Sequence, residues 1–258
     1  MILRLVSKVG SSTLFSLHYL GDYVIFIQKF FFKTFQNRFR FLLFLKQMEF
    51  VGNRSVLLVS ISGSFVGAVI GLQLGVLLRM FNAEGIVGAA TGRSLALELA
   101  PVMSAFIVTG RAGAASAAEI ATMRVSEQID AMESMGVDSF SYLVVPRVLA
   151  SLIMTPILYT IFLILGIVGC FIFAKIFFQV DSQTFFQQMK WRLDFSYFVN
   201  GAVKAFFFGF IFSTIACYFG YHASGGAKGV GEATTASVVA SLLLILVCDF
   251  IITFFQLG

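Results

Sequence analysis

Five times between residues 55 and 255 the chain runs through stretches apolar enough and long enough to cross a lipid bilayer. A crossing helix needs about 20 such residues. Residues 55–78, 85–123, 148–177, 195–219 and 234–255 meet that requirement. The chain is 59% hydrophobic and only 12% charged, so a water-soluble version would expose large apolar patches and associate. The expected fold is an all-α integral membrane protein with five transmembrane helices. The second run is too long for the bilayer, and its end is expected to project into the cytosol. Glycines 63, 67, 71 and 75 recur every four residues along the first run. They make a smooth ridge on one face and permit close approach of another helix.

Residues 1–54 read as a separate N-terminal region and residues 55–258 as the membrane domain. The first region mixes Phe, Leu and Ile with Arg4, Lys8, Lys29, Lys33, Arg38, Arg40, Lys46 and Arg54. Residues 23–45 are apolar enough to tempt a sixth span. Each base inside them would cost roughly 2.5–3.5 kcal/mol at mid-bilayer, so one or two amphipathic helices lying in the interface are expected instead. The start of the chain lacks the clean apolar core and cleavage site of a secretory signal. Lys and Arg bias the topology towards an N-terminus inside and a C-terminus outside. The eight early bases, Arg124, Arg147 and Lys228 then lie inside; Arg79, Arg93, Lys175, Lys190 and Arg192 lie outside. An outer loop is expected over residues 179–194.

Enzymatic readings find little material. The two histidines, His18 and His222, are far apart in the chain. No phosphate-binding G-x-x-x-x-G-K-[ST] loop occurs. The glycine-rich residues 225–235 contain Lys228, but Gly229 follows it. That stretch is expected to be a flexible turn into the fifth span, with Thr234 or Thr235 near the helix start. Cys170, Cys217 and Cys248 stand alone in apolar runs and read as packing residues; no metal site is expected. The net charge of +5 comes from bases interleaved with Phe, which suits a membrane surface and not nucleic acid.

Residues 101–150 carry the densest signal. A small-residue helix runs into a charged segment and then back into apolar sequence. Within residues 126–138, Ser126 is an expected N-cap, and Glu127 and Asp130 sit in the first turn, where the helix dipole favours acids. Val125, Ile129, Met132 and Gly136 share one side, with Glu127, Asp130 and Glu133 on another, and Gly136 is a natural stop. A short amphipathic helix between two spans is either a solvated loop helix or a handle on which a soluble partner can push.

The stretch ELAPVMSAFIVTGRAGAASAAEIATMRVSEQIDAMESMGVD resembles the signature of the MlaE permease family, membrane subunits of ABC-type lipid transporters. VGAVIGLQ (residues 66–73) and GVGEATTASVV (residues 229–239) extend the resemblance over residues 48–255. It implies a homodimer of five-span subunits, a pair of cytosolic ATPase subunits that bind ATP and Mg, and an MCE-domain protein on the outer side. No cofactor is implied in this chain. The implied substrate is phospholipid moved between the inner and outer membranes of a bacterium. The implied lipid cavity is lined by Leu74, Leu77, Leu78, Phe81, Glu98, Leu99 and Val102. The implied contacts with the ATPase are Glu127, Ile129, Asp130, Met132, Glu133 and Met135. Many relatives carry Arg immediately before the glutamate matching Glu98, where this chain has Leu97. Relatives often have Arg in place of Glu232. Arg93 and Arg79 are other bases on the outer side.

Ionisable groups inside spans are functional candidates by default. Glu98 precedes Pro101, whose missing N–H is expected to free the Leu97 carbonyl and bend the helix. Lys204 and Asp249 come within ~5 Å in depth at ~1.5 Å per residue, so a structural charge pair is expected. Arg111, Glu119 and Arg124 are expected to form one network bracing the coupling helix. The rival reading is an ion- or proton-coupled secondary transporter using Glu98, Lys204 and Asp249. A non-transporting scaffold is a third.

Overall fold

The computed structural model describes residues 20–36 and 40–257. Arg4, Lys8, His18, Arg38 and Gly258 lie outside them, as does much of the expected N-terminal region. Eleven α-helices occur among the described residues: α1 (residues 20–36), α2 (Phe41–Val51), α3 (Asn53–Arg79), α4 (Val87–Ser94), α5 (Ala100–Val108), α6 (Ala114–Val125), α7 (Gln128–Ser134), α8 (Ser139–Phe178), α9 (Ser182–Arg192), α10 (Phe195–Tyr221) and α11 (Gly226–Leu257). Five stretches are long and apolar enough to cross a membrane: Phe41–Arg79, Glu84–Val125, Ser139–Phe178, Phe195–Tyr221 and Gly226–Gln256. By connectivity, α7 follows the second and α9 the third, so they mark opposite faces of the bundle.

The glycine ridge of α3 lies along α8. A Cβ on Gly63 would come within 2.7 Å of the Phe162 carbonyl oxygen, and one on Gly67 would overlap the Gly166 carbonyl. The two backbones touch with no side chain between them, which is how helices gain dispersion contact in a solvent as apolar as their own side chains. Helix α10 is the most enclosed span, with 67% of its most apolar window buried; for α11 the figure is 11%. The open face of α11 is therefore left for lipid or another chain.

Helix α1 buries one side in the bundle and leaves large apolar residues exposed on the other. Phe26 and Phe30 are buried in a cluster with Ile129 of α7, Phe140 and Val144 of α8, and Tyr218 of α10. The Tyr23 hydroxyl lies 2.7 Å from the Thr214 Oγ1. Leu20, Ile25, Phe32 and Phe35 remain exposed on α1. Lys33 donates to Asp138 at 2.6 Å.

Several boundaries differ from the sequence reading. The first span begins at Phe41 rather than residue 55, with a break at Gly52 between α2 and α3. The third begins at Ser139, so Arg147 is a buried helix residue and not a loop base. Residues 226–233 are helical, so the connection shrinks to residues 222–225, with Gly225 at φ +91° and Gly226, the first residue of α11, at +71°. The Thr234 and Thr235 hydroxyls lie inside α11 and donate back to the carbonyls of Val230 and Gly231. The loop over residues 179–194 is mostly α9, capped by Asp181, whose carboxylate accepts from the Gln183 and Thr184 amides. Phe185 anchors it, edge-on to Phe171 at 5.2 Å.

Candidate functional site

The second span is interrupted by two π-helical turns, Leu95–Leu99 and Thr109–Gly113. Such turns add a residue to the helical circuit and often lie at functional positions. At the first, the Ala100 N–H donates to the Leu95 carbonyl, five residues back. In that register Pro101, which has no N–H, stands opposite Ala96 and not opposite Leu97 as the α-helical count predicts. The Tyr159 hydroxyl takes the Ala96 carbonyl, at 3.1 Å. Gly201 makes room: a Cβ there would overlap both Ala96 O and the Tyr159 ring.

The widened turn brings Glu98 to Lys204. The Lys204 ammonium donates to Glu98 Oε2 at 2.8 Å and to Thr253 Oγ1 at 2.7 Å. It lies 3.0 Å from Asp249 Oδ1, close enough for ion pairing but off the hydrogen-bonding direction. The Lys204 side chain is wholly buried, that of Asp249 is 19% exposed and that of Glu98 44% exposed. Desolvating an ammonium costs several kcal/mol, and two carboxylates and a hydroxyl offset that cost. Glu98 is the most exposed of the three charges and the one most open to an incoming polar group.

The other expected cavity residues divide among three surroundings. Leu99 and Val102 pack against the main core beside Ala96 and Tyr159. Leu74 and Leu78 pack near α9, against a cluster of Val87, Cys170, Ala174 and Phe185. Leu77 and Phe81 are 52% and 73% exposed. Within one chain the seven do not gather around Glu98. Arg93 stacks over Tyr197 at 4.9 Å, and Arg79 lies 3.9 Å from Glu84; neither pairs with Glu98.

At the α7 face, Ser126 does not cap. Its hydroxyl donates back to the Thr122 carbonyl, and Glu127, in the left-handed region at φ +59°, precedes the first residue of α7. Ile129 is completely buried and Met132 packs beside it, so the apolar side of α7 is committed to this chain. Direct contact of Ile129 with another protein is thereby excluded in this conformation. Glu133 accepts from Ser139 Oγ at 2.6 Å and from the Tyr221 hydroxyl at 2.9 Å. Those two hydrogen bonds, the Ser139 bond first, hold its carboxyl below the usual range. Asp130 pairs with Arg124 at 2.5 Å. Of the expected contacts, Glu127, Asp130, Glu133 and Met135 are exposed, the last by 72%.

Arg111, Glu119 and Arg124 do not form one network. Arg111, on the second π turn, donates from Nε to Ser55 Oγ at 2.8 Å and from Nη2 to the Phe50 carbonyl. It thus serves the carbonyl end of α2 at the Gly52 break, where Met154 presses against the glycine. Glu119 pairs with Arg147 at 2.8 Å. Only Arg124 reaches α7. Sequence reasoning missed Tyr159 and Thr253. Pro101 announces an unpaired carbonyl, and Thr253 lies one helical turn beyond Asp249, so both had a signal.

The bundle defines a five-span helical membrane protein with a short helix braced between its second and third spans. The chain belongs to the MlaE permease family: the model described as "Permease MlaE" matches residues 44–255. It is 38% identical to a "Probable ABC transporter permease protein" of Rickettsia bellii, over 98% of each chain. It is 36% identical, over 86% of each chain, to the "Intermembrane phospholipid transport system permease protein MlaE" of Haemophilus influenzae. A probable ABC transporter permease protein of Synechocystis is 37% identical over 81% of this chain and 80% of its own.

Proposed function

We propose that this chain is the permease of an ABC-type transporter that moves phospholipid between the inner and outer membranes of a bacterium. The observation that carries the reading is the similarity to the Haemophilus influenzae intermembrane phospholipid permease over 86% of both chains. The permease works as a homodimer in the inner membrane, with its N-terminus in the cytosol and its C-terminus in the periplasm. A cytosolic ATPase pair, holding ATP and Mg, docks at the outward residues of α7. An MCE-domain protein receives or delivers lipid at the α9 face. Docking drives transport only if nucleotide binding favours one arrangement of the spans over another. Arg124 and the Ile129 anchor join α7 to α6 and to the α1–α8–α10 cluster, so a push on α7 has a rigid path into the second span.

The test is copurification and reconstitution. Coexpressed with the ATPase of its own genome, the chain is expected to copurify with it and to support ATP-dependent transfer of a fluorescent phospholipid between vesicles bearing the full complex. Glu127→Lys is expected to weaken that copurification about tenfold without unfolding the permease, because Glu127 is exposed and makes no ion pair among the described residues. Unchanged copurification with Glu127→Lys would return α7 to an ordinary loop helix. A second reading, a proton-coupled secondary transporter, is favoured by the buried Lys204 with its two carboxylates. Lipid transfer driven by a proton gradient in the absence of any ATPase would establish it instead.

A further inference from the structure

Beside α10, the C-terminal half of α1 does not seal against the spans. A cleft of about 280 Å³ opens there, walled by Phe30 and Phe31 of α1, Leu149 and Leu152 of α8, and Phe207 and Phe210 of α10. No charged side chain lines it. Phe31 and Phe207 are 50% and 47% exposed, so the cleft communicates sideways with the bilayer.

Beyond the cleft, towards the start of α8, stands a cation. The Arg40 guanidinium lies 4.9 Å over the ring of Tyr142. Tyr142, Leu149 and Leu152 stand at i, i+7 and i+10 on α8 and therefore share a face. At ~1.5 Å per residue, Arg40 stands about 10–15 Å along α8 from the cleft. That distance fits within one leaflet of a hydrocarbon core ~30 Å thick. Lys33, the neighbouring base, is taken up by Asp138. Among the described residues Arg40 has no carboxylate partner, and a guanidinium stacked on a ring keeps its N–H edge open to phosphate.

We propose that this cleft binds one anionic phospholipid of the surrounding bilayer, at a site separate from the transported lipid. An acyl chain lies between the phenylalanines, and the phosphate meets Arg40. The bound lipid bridges α1 to α8 and α10. Because Phe26 and Phe30 of α1 share a cluster with Ile129, it also stiffens the bed on which α7 rests. The inference does not depend on the transport reading.

Brominated lipids quench tryptophan fluorescence only on contact, which gives a direct test. The single native tryptophan is removed by Trp191→Phe, and Phe207→Trp places a reporter at the cleft mouth. The full-length chain is reconstituted into vesicles containing dibrominated phosphatidylglycerol or dibrominated phosphatidylcholine. Phosphatidylglycerol is expected to occupy the site about fivefold more tightly, the contribution of one basic residue at a membrane surface. Arg40→Gln should abolish that preference. A comparison reporter at Ile172→Trp, a lipid-exposed position of α8, should show none. Equal quenching by the two lipids at the cleft, or a preference that survives Arg40→Gln, overturns the proposal. If Arg40→Gln fails to reconstitute, the contrast between the Phe207→Trp and Ile172→Trp reporters still decides it.

Discussion

Lys204 is a cation with no exposed surface, held by groups from two other helical segments. Its partners differ in their freedom. Asp249 is largely enclosed, whereas Glu98 is nearly half open and can swing away from an uncharged neighbour. Removing the lysine alone strands Asp249 beside Glu98 with no compensating charge. Lys204→Ala should therefore destabilise the bundle by roughly 3–5 kcal/mol, the cost of breaking a buried pair from one side. Lys204→Ala combined with Asp249→Ala should recover part of that loss, since the remaining Glu98 can turn to the open side. Thermal unfolding of the detergent-solubilised single and double variants measures both. Additive losses would mean that the two charges do not support one another in the folded protein. The same residues show what sequence can and cannot give. Charges in apolar runs are visible at once, and counting rise along two helices brings Lys204 and Asp249 to one depth. Counting gives no azimuth, however, and the π turn at Leu95–Leu99 resets it for Glu98. The convergence of Glu98 on the same lysine was therefore hidden.

Elements follow the same division. The spans were legible because lipid demands a long apolar run, but their ends were not. Helices α8 and α11 continue past the apolar stretch into polar sequence, since helical hydrogen bonding does not need apolar side chains. The amphipathic stripe of α7 was legible too, yet a stripe does not say which protein covers it; here Ile129 faces inward. To the buried phenylalanines that attach α1, the Lys33–Asp138 ion pair adds a contact that no motif announces. Burial alone would raise the Asp138 carboxyl, but hydrogen bonds from Lys33 and Ser141 and the Lys33 charge outweigh it and hold it at about 2. A carboxyl depressed on folding stabilises fully above its unfolded value and loses that contribution as pH falls through the folded one. Docking of α1 is thus expected to be whole above pH ~4 and to weaken as pH falls towards about 2. Both side chains are about 30% exposed, at 28% and 31%, so solvent screening limits the effect to about 1 kcal/mol. Hydrogen exchange of α1 amides, corrected for intrinsic rate, should speed up about fivefold across that window. Asp138→Asn should show the faster exchange already at neutral pH and little further change in acid. Glu133 is also depressed, so acid sensitivity that persists undiminished in Asp138→Asn would assign the effect to α7 instead.

At the scale of the whole molecule, an odd number of spans puts α1 and the end of α11 on opposite sides of the bilayer. Lys and Arg in the connecting segments set which side is which. The structure alters the count slightly. Arg147 leaves it, because it is buried in α8 against Glu119. Lys29, Lys33, Arg40 and Arg124 remain at the α7 face, engaged with α1, α7 and the start of α8. Lys190 and Arg192 end α9 on the other face, where they suit the carbonyl end of that helix and are retained for a local reason. Bases fixed by helix capping weigh less as topological signals than bases gathered along an interfacial helix. The expected arrangement therefore places α7 in the cytosol and α9 outside. In a background lacking Cys170, Cys217 and Cys248, Ser182→Cys at the start of α9 should react with an impermeant thiol reagent added to intact cells. Ser134→Cys at the end of α7 should react only after the membrane is opened. Both serines lie outside the apolar runs, so reactivity reports sidedness more than depth. Labelling of position 134 alone from outside would invert the bundle and remove α7 from the reach of any cytosolic ATPase.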